Sequence, residues 1–261
     1  MTPTELHQIL NTLQIRPRKG LSQNFLIDSN IARKIISTLD PKKKVLEIGP
    51  GLGALTQILL EQGFRVTAVE KDKKISEYLR NQFTNLDLYE EDFLSWNFDH
   101  LTEGDVQIVS NLPYHITTPI LERVLSRPDI FISATVMMQT EVTQRIVAKP
   151  KSPEYGSLSV FLQSRTRIES LFSVSANCFY PRPQVGSSIL HLTMKTTPKE
   201  GFSFMTRLAF QKRRKTLVNA LKEEYDPKRL IPALEKLGFS PTVRAEELSV
   251  EKFHSLFEIV S

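Results

Sequence analysis

Between Lys44 and Leu60 the chain passes from a short apolar strand, through a glycine-rich turn, directly into a helix. Lys44-Val45-Leu46-Glu47-Ile48 has strand character, Gly49-Pro50-Gly51-Leu52-Gly53 breaks it, and Ala54-Leu55-Thr56-Gln57-Ile58-Leu59-Leu60 has helical composition. Such a unit opens a parallel α/β sheet. Its glycines let a ligand approach the backbone, and the helix start offers free N–H groups. The spacing is G-x-G-x-G, not the G-x-G-x-x-G of the dinucleotide fingerprint, so the turn alone does not identify the ligand.

The following segments repeat the alternation. Arg65-Val66-Thr67-Ala68-Val69, Leu86-Asp87-Leu88-Tyr89, Val106-Gln107-Ile108-Val109 and Ala134-Thr135-Val136-Met137-Met138 read as strands, and Pro119–Leu125 reads as a helix. Met137 and Met138 belong to the core. Asp28 caps a helix carrying Ile31, Ile35, Ile36 and Leu39, which Pro41 ends. A mostly parallel α/β sheet is expected, with ligands at the carboxyl ends of its strands. Glu70 ends the second strand about 20 residues past the first glycine, where an acidic residue commonly holds ribose hydroxyls. Asp92 follows the third strand and could accept from an adenine amino group; either carboxylate by itself also fits a solvated strand-end charge, and their order at successive strand ends favours binding. A nucleoside fits between the two.

Asn111-Leu112-Pro113-Tyr114 follows the fourth strand. Asn111 brings a side-chain carbonyl, and the Leu112 backbone carbonyl is a second acceptor, restrained because Pro113 biases its predecessor to extended geometry. Two acceptors can grip one amino group. An exocyclic aromatic amine is a poor nucleophile, and gripping both N–H bonds favours pyramidal nitrogen and stabilises the charge that develops on attack. Tyr114 adds an aromatic face for a base. By itself the motif also fits an ordinary turn after a strand.

At this point the chain closely resembles the ribosomal RNA small-subunit adenine N6,N6-dimethyltransferase family, the KsgA group. Beyond the segments above, the likeness rests on Gln23-Asn24-Phe25-Leu26, Tyr155-Gly156, Phe179-Tyr180-Pro181-Arg182-Pro183-Gln184-Val185, Arg213-Arg214-Lys215 and Arg244-Ala245-Glu246-Glu247-Leu248-Ser249. The resemblance implies a class I methyltransferase (Rossmann-like) sheet followed by a small helical domain. It implies transfer of methyl groups from S-adenosylmethionine to N6 of two adjacent adenosines in small-subunit ribosomal RNA, in the service of ribosome biogenesis. It further implies that Asn24, Leu26, Gly49, Gly51, Glu70, Asp92 and Asn111 contact the cofactor. Asn111, Leu112 and Tyr114 would carry catalysis, with Tyr114 and Phe179 as the two faces around a flipped adenine. Three positions depart from the family pattern: Ser22, Ser157 and Gly186, the last replacing a carboxylate beside the Phe179 loop.

The formal charge of +5 suits an RNA partner. Basic residues cluster at Arg16-Pro17-Arg18-Lys19 and at Lys212-Arg213-Arg214-Lys215, so Arg213, Arg214 and Lys215 are expected to bind RNA, against the alternative of a solvated helix face. Cys178 is the single cysteine, which excludes an intrachain disulfide and suits the cytoplasm. The five histidines lack metal-site spacing, so no metal is expected, although His115 adjoins Tyr114. No apolar run is long enough to span a membrane, and none reads as a signal peptide. Thr2-Pro3-Thr4-Glu5 has capping-box form, and Leu6, Ile9, Leu10 and Leu13 follow at helical spacing.

After a loop at residues 149–153, Leu158–Phe172 and Ser188–Met194 read as β-like runs, then Thr196–Gly201 as a linker. Phe202–Leu221, Pro227–Leu237 and Ser249–Val260 are helical patterns. The expected domains are a methyltransferase domain over 1–196 and a helical RNA-binding domain over 197–261, acting as a monomer on the assembling small ribosomal subunit. Rival readings are a large-subunit methyltransferase of the macrolide-resistance type, a non-enzymatic ribosome-assembly factor on the same fold, and a nicotinamide-dependent dehydrogenase. The Arg244-Ala245-Glu246 segment tells against the first, the intact Asn111, Tyr114 and Glu70 against the second. A dehydrogenase leaves Asn111–Tyr114 unexplained.

Overall fold

The computed structural model describes residues 3–15, 24–101, 104–212 and 214–261. Its strands are β1 (Phe25–Leu26), β2 (Val45–Ile48), β3 (Val66–Glu70), β4 (Asp87–Glu90), β5 (Val106–Asn111), β6 (Phe131–Gln139), β7 (Thr166–Val174), β8 (Phe179–Tyr180) and β9 (Ser187–Met194). Its helices are α1 (Pro3–Thr12), α2 (Ser29–Ile36), α3 (Thr56–Glu61), α4 (Lys73–Gln82), α5 (Thr117–Leu125), α6 (Thr140–Val147), α7 (Ser157–Arg165), α8 (Phe202–Gln211), α9 (Leu217–Leu221), α10 (Pro227–Lys236) and α11 (Val250–Val260). Thr2, the basic stretch 16–19, Ser22, Gln23 and Arg213 lie outside the described residues.

Seven strands form one sheet in the order β4-β3-β2-β5-β6-β9-β7. β2 runs parallel to β3 and β5, β3 to β4 and β5 to β6, whereas β9 is antiparallel to β6. This is the mostly parallel sheet that the alternation predicts, in the Rossmann-like form that the resemblance implies. All of β2 and five of the six residues of β5 are buried, as central strands covered on both faces must be. The order reverses at β2, with β3 on one side and β5 on the other. Such a switch opens a crevice at the carboxyl ends of the two strands.

Local chemistry starts the helices beside this crevice. Asp28 accepts from the amides of Asn30 and Ile31 and so begins α2, whose Ala32, Ile35 and Ile36 enter an apolar cluster with Val45, Leu59 and Val66. Asp72 caps α4 in the same way through Lys74 and Ile75. α1 buries Leu6 and Leu10 against Phe25, Leu52, Ile75 and Leu79. Met137 and Met138 are core residues. Cys178 is half-buried, with its thiol 3.6 Å from Asp28 Oδ2.

The chain divides into two compact units, Met1–Thr140 with Ile168–Met194, and Glu141–Arg167 with Lys195–Ser261. Against the expected division at 196/197, the second unit begins its C-terminal segment at Lys195 and also takes in residues 141–167. Tyr155 explains this. Its ring is fully buried, edge-on to Phe210, its hydroxyl donates to the Leu248 carbonyl at 2.9 Å, and the Lys151 amide donates to the Glu246 carbonyl at 2.8 Å. The core of this unit also holds Phe202, Leu217, Leu230 and Phe253.

The run 158–172, expected as strand throughout, is helical up to Arg165 and extended only from Thr166. Leu158, Val160 and Leu162 fall at every second position, as one face of a strand does, although Phe161 interrupts the polar positions between them. In α7, however, Ser159 and Ser164 are buried as well. A helix covered on most sides loses the 3.6-residue stripe by which it would be recognised.

Candidate active site

A cleft of about 430 Å³ lies at the carboxyl ends of β2 to β5, at the topological switch. It falls within the roughly 300–1,000 Å³ of small-molecule sites. Asn24, Leu26, Gly49, Gly51, Glu70, Asp92, Asn111, Leu112 and Tyr114 all line it, so the structure brings these expected residues together. His115 lines it too.

The glycine turn is shaped by space as well as by dihedral. Gly51 has φ +55°, and a Cβ there would stand 3.3 Å from the Phe25 ring; at Gly53, φ +83°, a Cβ would come within 2.6 Å of Phe83. Any side chain at Gly53 therefore displaces an aromatic ring. The Gly51 amide points at Glu70, donating to Oε2 at 3.3 Å, while Oε1 accepts from the Asp72 amide at 2.9 Å. Burial raises the Glu70 pKa, and these amide bonds oppose the rise. The carboxylate is held at the end of β3 facing the cleft.

Asp92 follows β4. Its Oδ1 accepts from the Leu94 amide at 2.9 Å and its Oδ2 from Lys71 Nζ at 2.7 Å. The Lys71 hydrogen bond, then that of Leu94, holds this carboxyl below the usual range. It is an ionised acceptor. At the end of β5, Asn111 Nδ2 donates to the Asn24 carbonyl at 2.9 Å. Ser110 Oγ donates to the Ile48 carbonyl at 2.5 Å, and the Leu112 amide to the Met137 carbonyl at 3.0 Å, which fastens the acceptor motif to strands on both sides. The Tyr114 hydroxyl is 2.8 Å from Ser187 Oγ; burial raises its pKa.

Phe179 is not brought to the cleft. It pairs with Leu26 in the β1–β8 ladder and is 3% exposed in the apolar cluster that contains Met137 and Ile189. Arg214 and Lys215 are exposed after α8 in the second unit. Gly186, for all its lack of a carboxylate, sits in an anchored loop: its carbonyl accepts from the Thr140 amide at 3.0 Å.

Glu47 was not singled out from the sequence, yet it lines the cleft and is 1% exposed, accepting from Thr56 Oγ1 at 2.6 Å. Burial raises its pKa to about 7, against the Thr56 hydrogen bond and with some help from the Glu70 charge. A carboxylate within an otherwise apolar strand was the signal available. Lys71, which no sequence pattern marks, directly follows Glu70 in the chain and meets Asp92 in space. Among the described residues, no group of three potential metal ligands comes together, and no helix is long and apolar enough to cross a membrane.

Residues 14–261 match the model of a family described as ribosomal RNA adenine dimethylase. A protein of Chlamydia caviae named ribosomal RNA small subunit methyltransferase A is 44% identical over 273 aligned positions, covering 100% of this chain and 98% of that protein. The crystal structure of a dimethyladenosine transferase from Plasmodium falciparum is 25% identical with a TM-score of 0.76, covering 89% of this chain and 95% of that one. The 23S rRNA methyltransferase ErmE is 27% identical with a TM-score of 0.70, covering 91% and 99%.

Proposed function

The chain belongs to the ribosomal RNA adenine dimethylase family, and from that premise we propose how its cleft transfers methyl groups from S-adenosylmethionine to N6 of two adjacent adenosines in small-subunit ribosomal RNA. S-adenosylmethionine would supply an electrophilic methyl carbon on a sulfonium, whose sulfur keeps the electron pair of the broken C–S bond and leaves as the neutral thioether of S-adenosylhomocysteine. The residues present fit it: an acidic side chain at the end of β3 and an ionised one after β4 face a glycine turn across one cleft.

Glu70 accepts from the ribose hydroxyls and Asp92 from the adenine amino group. Asn24, Leu26, Gly49 and Gly51 line the methionine end. The target adenine, extruded from its stack, lies on Tyr114. Asn111 Oδ1 and the Leu112 carbonyl accept from the two N–H bonds of N6, turn the lone pair toward the methyl carbon and stabilise the positive charge formed on attack. The methylated nitrogen then sheds its proton to solvent. Phe179 supplies the second face of the sandwich once the two-residue β1–β8 ladder opens, since in the closed ladder its ring belongs to the core. Arg213, Arg214 and Lys215 neutralise phosphates of the RNA, with the second unit as the RNA-binding part. The protein works as a cytoplasmic monomer on the assembling small subunit.

One observation carries this reading above the rest: Asn111 spends its amide nitrogen on Asn24, which leaves its carbonyl as the group available to an amine. The test is mass analysis of ribosomal RNA after incubation of small and large subunits with the protein and labelled S-adenosylmethionine. Label confined to dimethyladenosine of the small subunit is expected. Label in the large subunit instead would move the protein to the macrolide-resistance type, and no label would make it a binding factor.

A further inference from the structure

The acceptor motif runs without a break into α5: Tyr114–Ile116 forms a 3₁₀ turn and the helix starts at Thr117. Two turns further on, Arg123 reaches the loop after β4. Its guanidinium carbon lies 4.5 Å from the centroid of the Phe98 ring, and Nη2 donates to the Trp96 carbonyl. That loop shapes Asp92. The Ser95 and Trp96 amides donate to the Asp92 carbonyl, each at 2.9 Å, while the Leu94 amide holds Oδ1. Trp96 itself is fully buried against Tyr89, Phe93 and Phe98.

Packing alone does not account for an arginine at this position. Its Nε and the Trp96 Nε1 are buried without a hydrogen-bond partner among the described residues, and an unsatisfied buried donor is unfavourable. An apolar side chain of similar volume would cover Phe98 without that penalty. What an apolar chain lacks is a planar cation that stacks on a ring and donates to a carbonyl together.

We propose that Arg123 is a positioning residue that ties α5, and with it the acceptor turn at 111–114, to the loop holding Asp92, so that the two ends of the site are set relative to each other. The inference rests on the role given above to Asp92. The charge of Arg123 also contributes, after the Lys71 and Leu94 hydrogen bonds, to keeping Asp92 ionised.

The experiment is calorimetric binding of S-adenosylhomocysteine and of S-inosylhomocysteine, whose base has a carbonyl in place of the amino group, to the full chain and to Arg123→Met. The variant is expected to bind S-adenosylhomocysteine on the order of tenfold more weakly, while its affinity for the inosine compound hardly changes. Arg123→Lys, which keeps the charge but not the planar fork, should restore only part of the loss, and it carries the same comparison if Arg123→Met does not fold. In an Asp92→Ala background Arg123→Met should cost nothing further. Equal losses for both compounds, additivity with Asp92→Ala, or no loss at all would overturn the proposal. A parent chain that does not discriminate between the two compounds would instead remove Asp92 from the adenine, a failure distinguishable from the first.

Discussion

Asn111 Nδ2 donates across 2.9 Å to the backbone carbonyl of Asn24, 87 positions earlier in the chain. A carbonyl accepts only, so this contact fixes which way the amide is turned. Asn111→Ala removes the acceptor, and by analogy with deleting one preorganised donor from an oxyanion hole, single-turnover methyl transfer should slow on the order of 10²-fold. RNA affinity should change little. Asn111→Asp keeps an oxygen toward the amine but sets a carboxylate against the Asn24 carbonyl, and should also be slow. Rates compared at saturating cofactor check this; parent-like transfer by a folded alanine variant contradicts it.

Glu47 makes stability depend on pH. Its folded pKa, about 7, exceeds the ordinary value of 4.5. As pH rises through that interval the unfolded chain releases this proton first, so folding stability is lost between about pH 4.5 and 7. At 1.36 kcal/mol per decade, the loss is at most about 3 kcal/mol. Glu47→Gln keeps the shape without the ionisation and should flatten the dependence, leaving the variant more stable than the parent at pH 8. Urea denaturation of both proteins from pH 5 to 8 gives the comparison; parallel curves would show that Glu47 titrates normally.

The strand-end residues were legible because a parallel sheet converts position into proximity. Glu70 and Asn111 each end a separate strand and Asp92 follows a third, and the switch at β2 brings all three to one cleft. Glu47 stands out in the sequence only as a carboxylate inside an apolar strand, and the close hydroxyl of Thr56 that makes its burial tolerable is a tertiary contact. Burial on most sides erases the helical period of α7, so its sequence resembles a strand. Grouping residues 141–167 with the C-terminal helices depends on contacts such as Tyr155 with Leu248, 93 positions apart, which no local pattern contains. The motif marks Phe179 as a residue, while its place within the β1–β8 ladder, with its ring in the core, is a property of tertiary packing.

Arg214 and Lys215 are exposed. If each neutralises a phosphate, replacing both with alanine should make the slope of log K for RNA against log salt shallower by roughly 1.4–1.8, between the single- and double-strand limits. Affinity for S-adenosylhomocysteine should stay at the parent value. Titrations at three or more salt concentrations measure the slope, and an unchanged slope would mark the pair as a solvated surface.

Tyr114 carries two separable contributions, its ring and its hydroxyl. The ring lines the cleft, and the hydroxyl is 2.8 Å from Ser187 Oγ. If the ring is the platform for the target base, Tyr114→Ala should weaken productive RNA binding by about 1–3 kcal/mol, which appears in kcat/KM for RNA, with S-adenosylhomocysteine affinity nearly constant. Tyr114→Phe keeps the face and loses only the bond to Ser187, worth about 0.5–1.5 kcal/mol of stability; its kcat/KM should remain within a few-fold of the parent. Ser187→Ala removes the same bond from the other side and should resemble Tyr114→Phe. Measuring the three variants together separates the contributions. A phenylalanine variant as impaired as the alanine one, with Ser187→Ala unaffected, would assign the function to the hydroxyl itself and exclude stacking as the main use of this side chain.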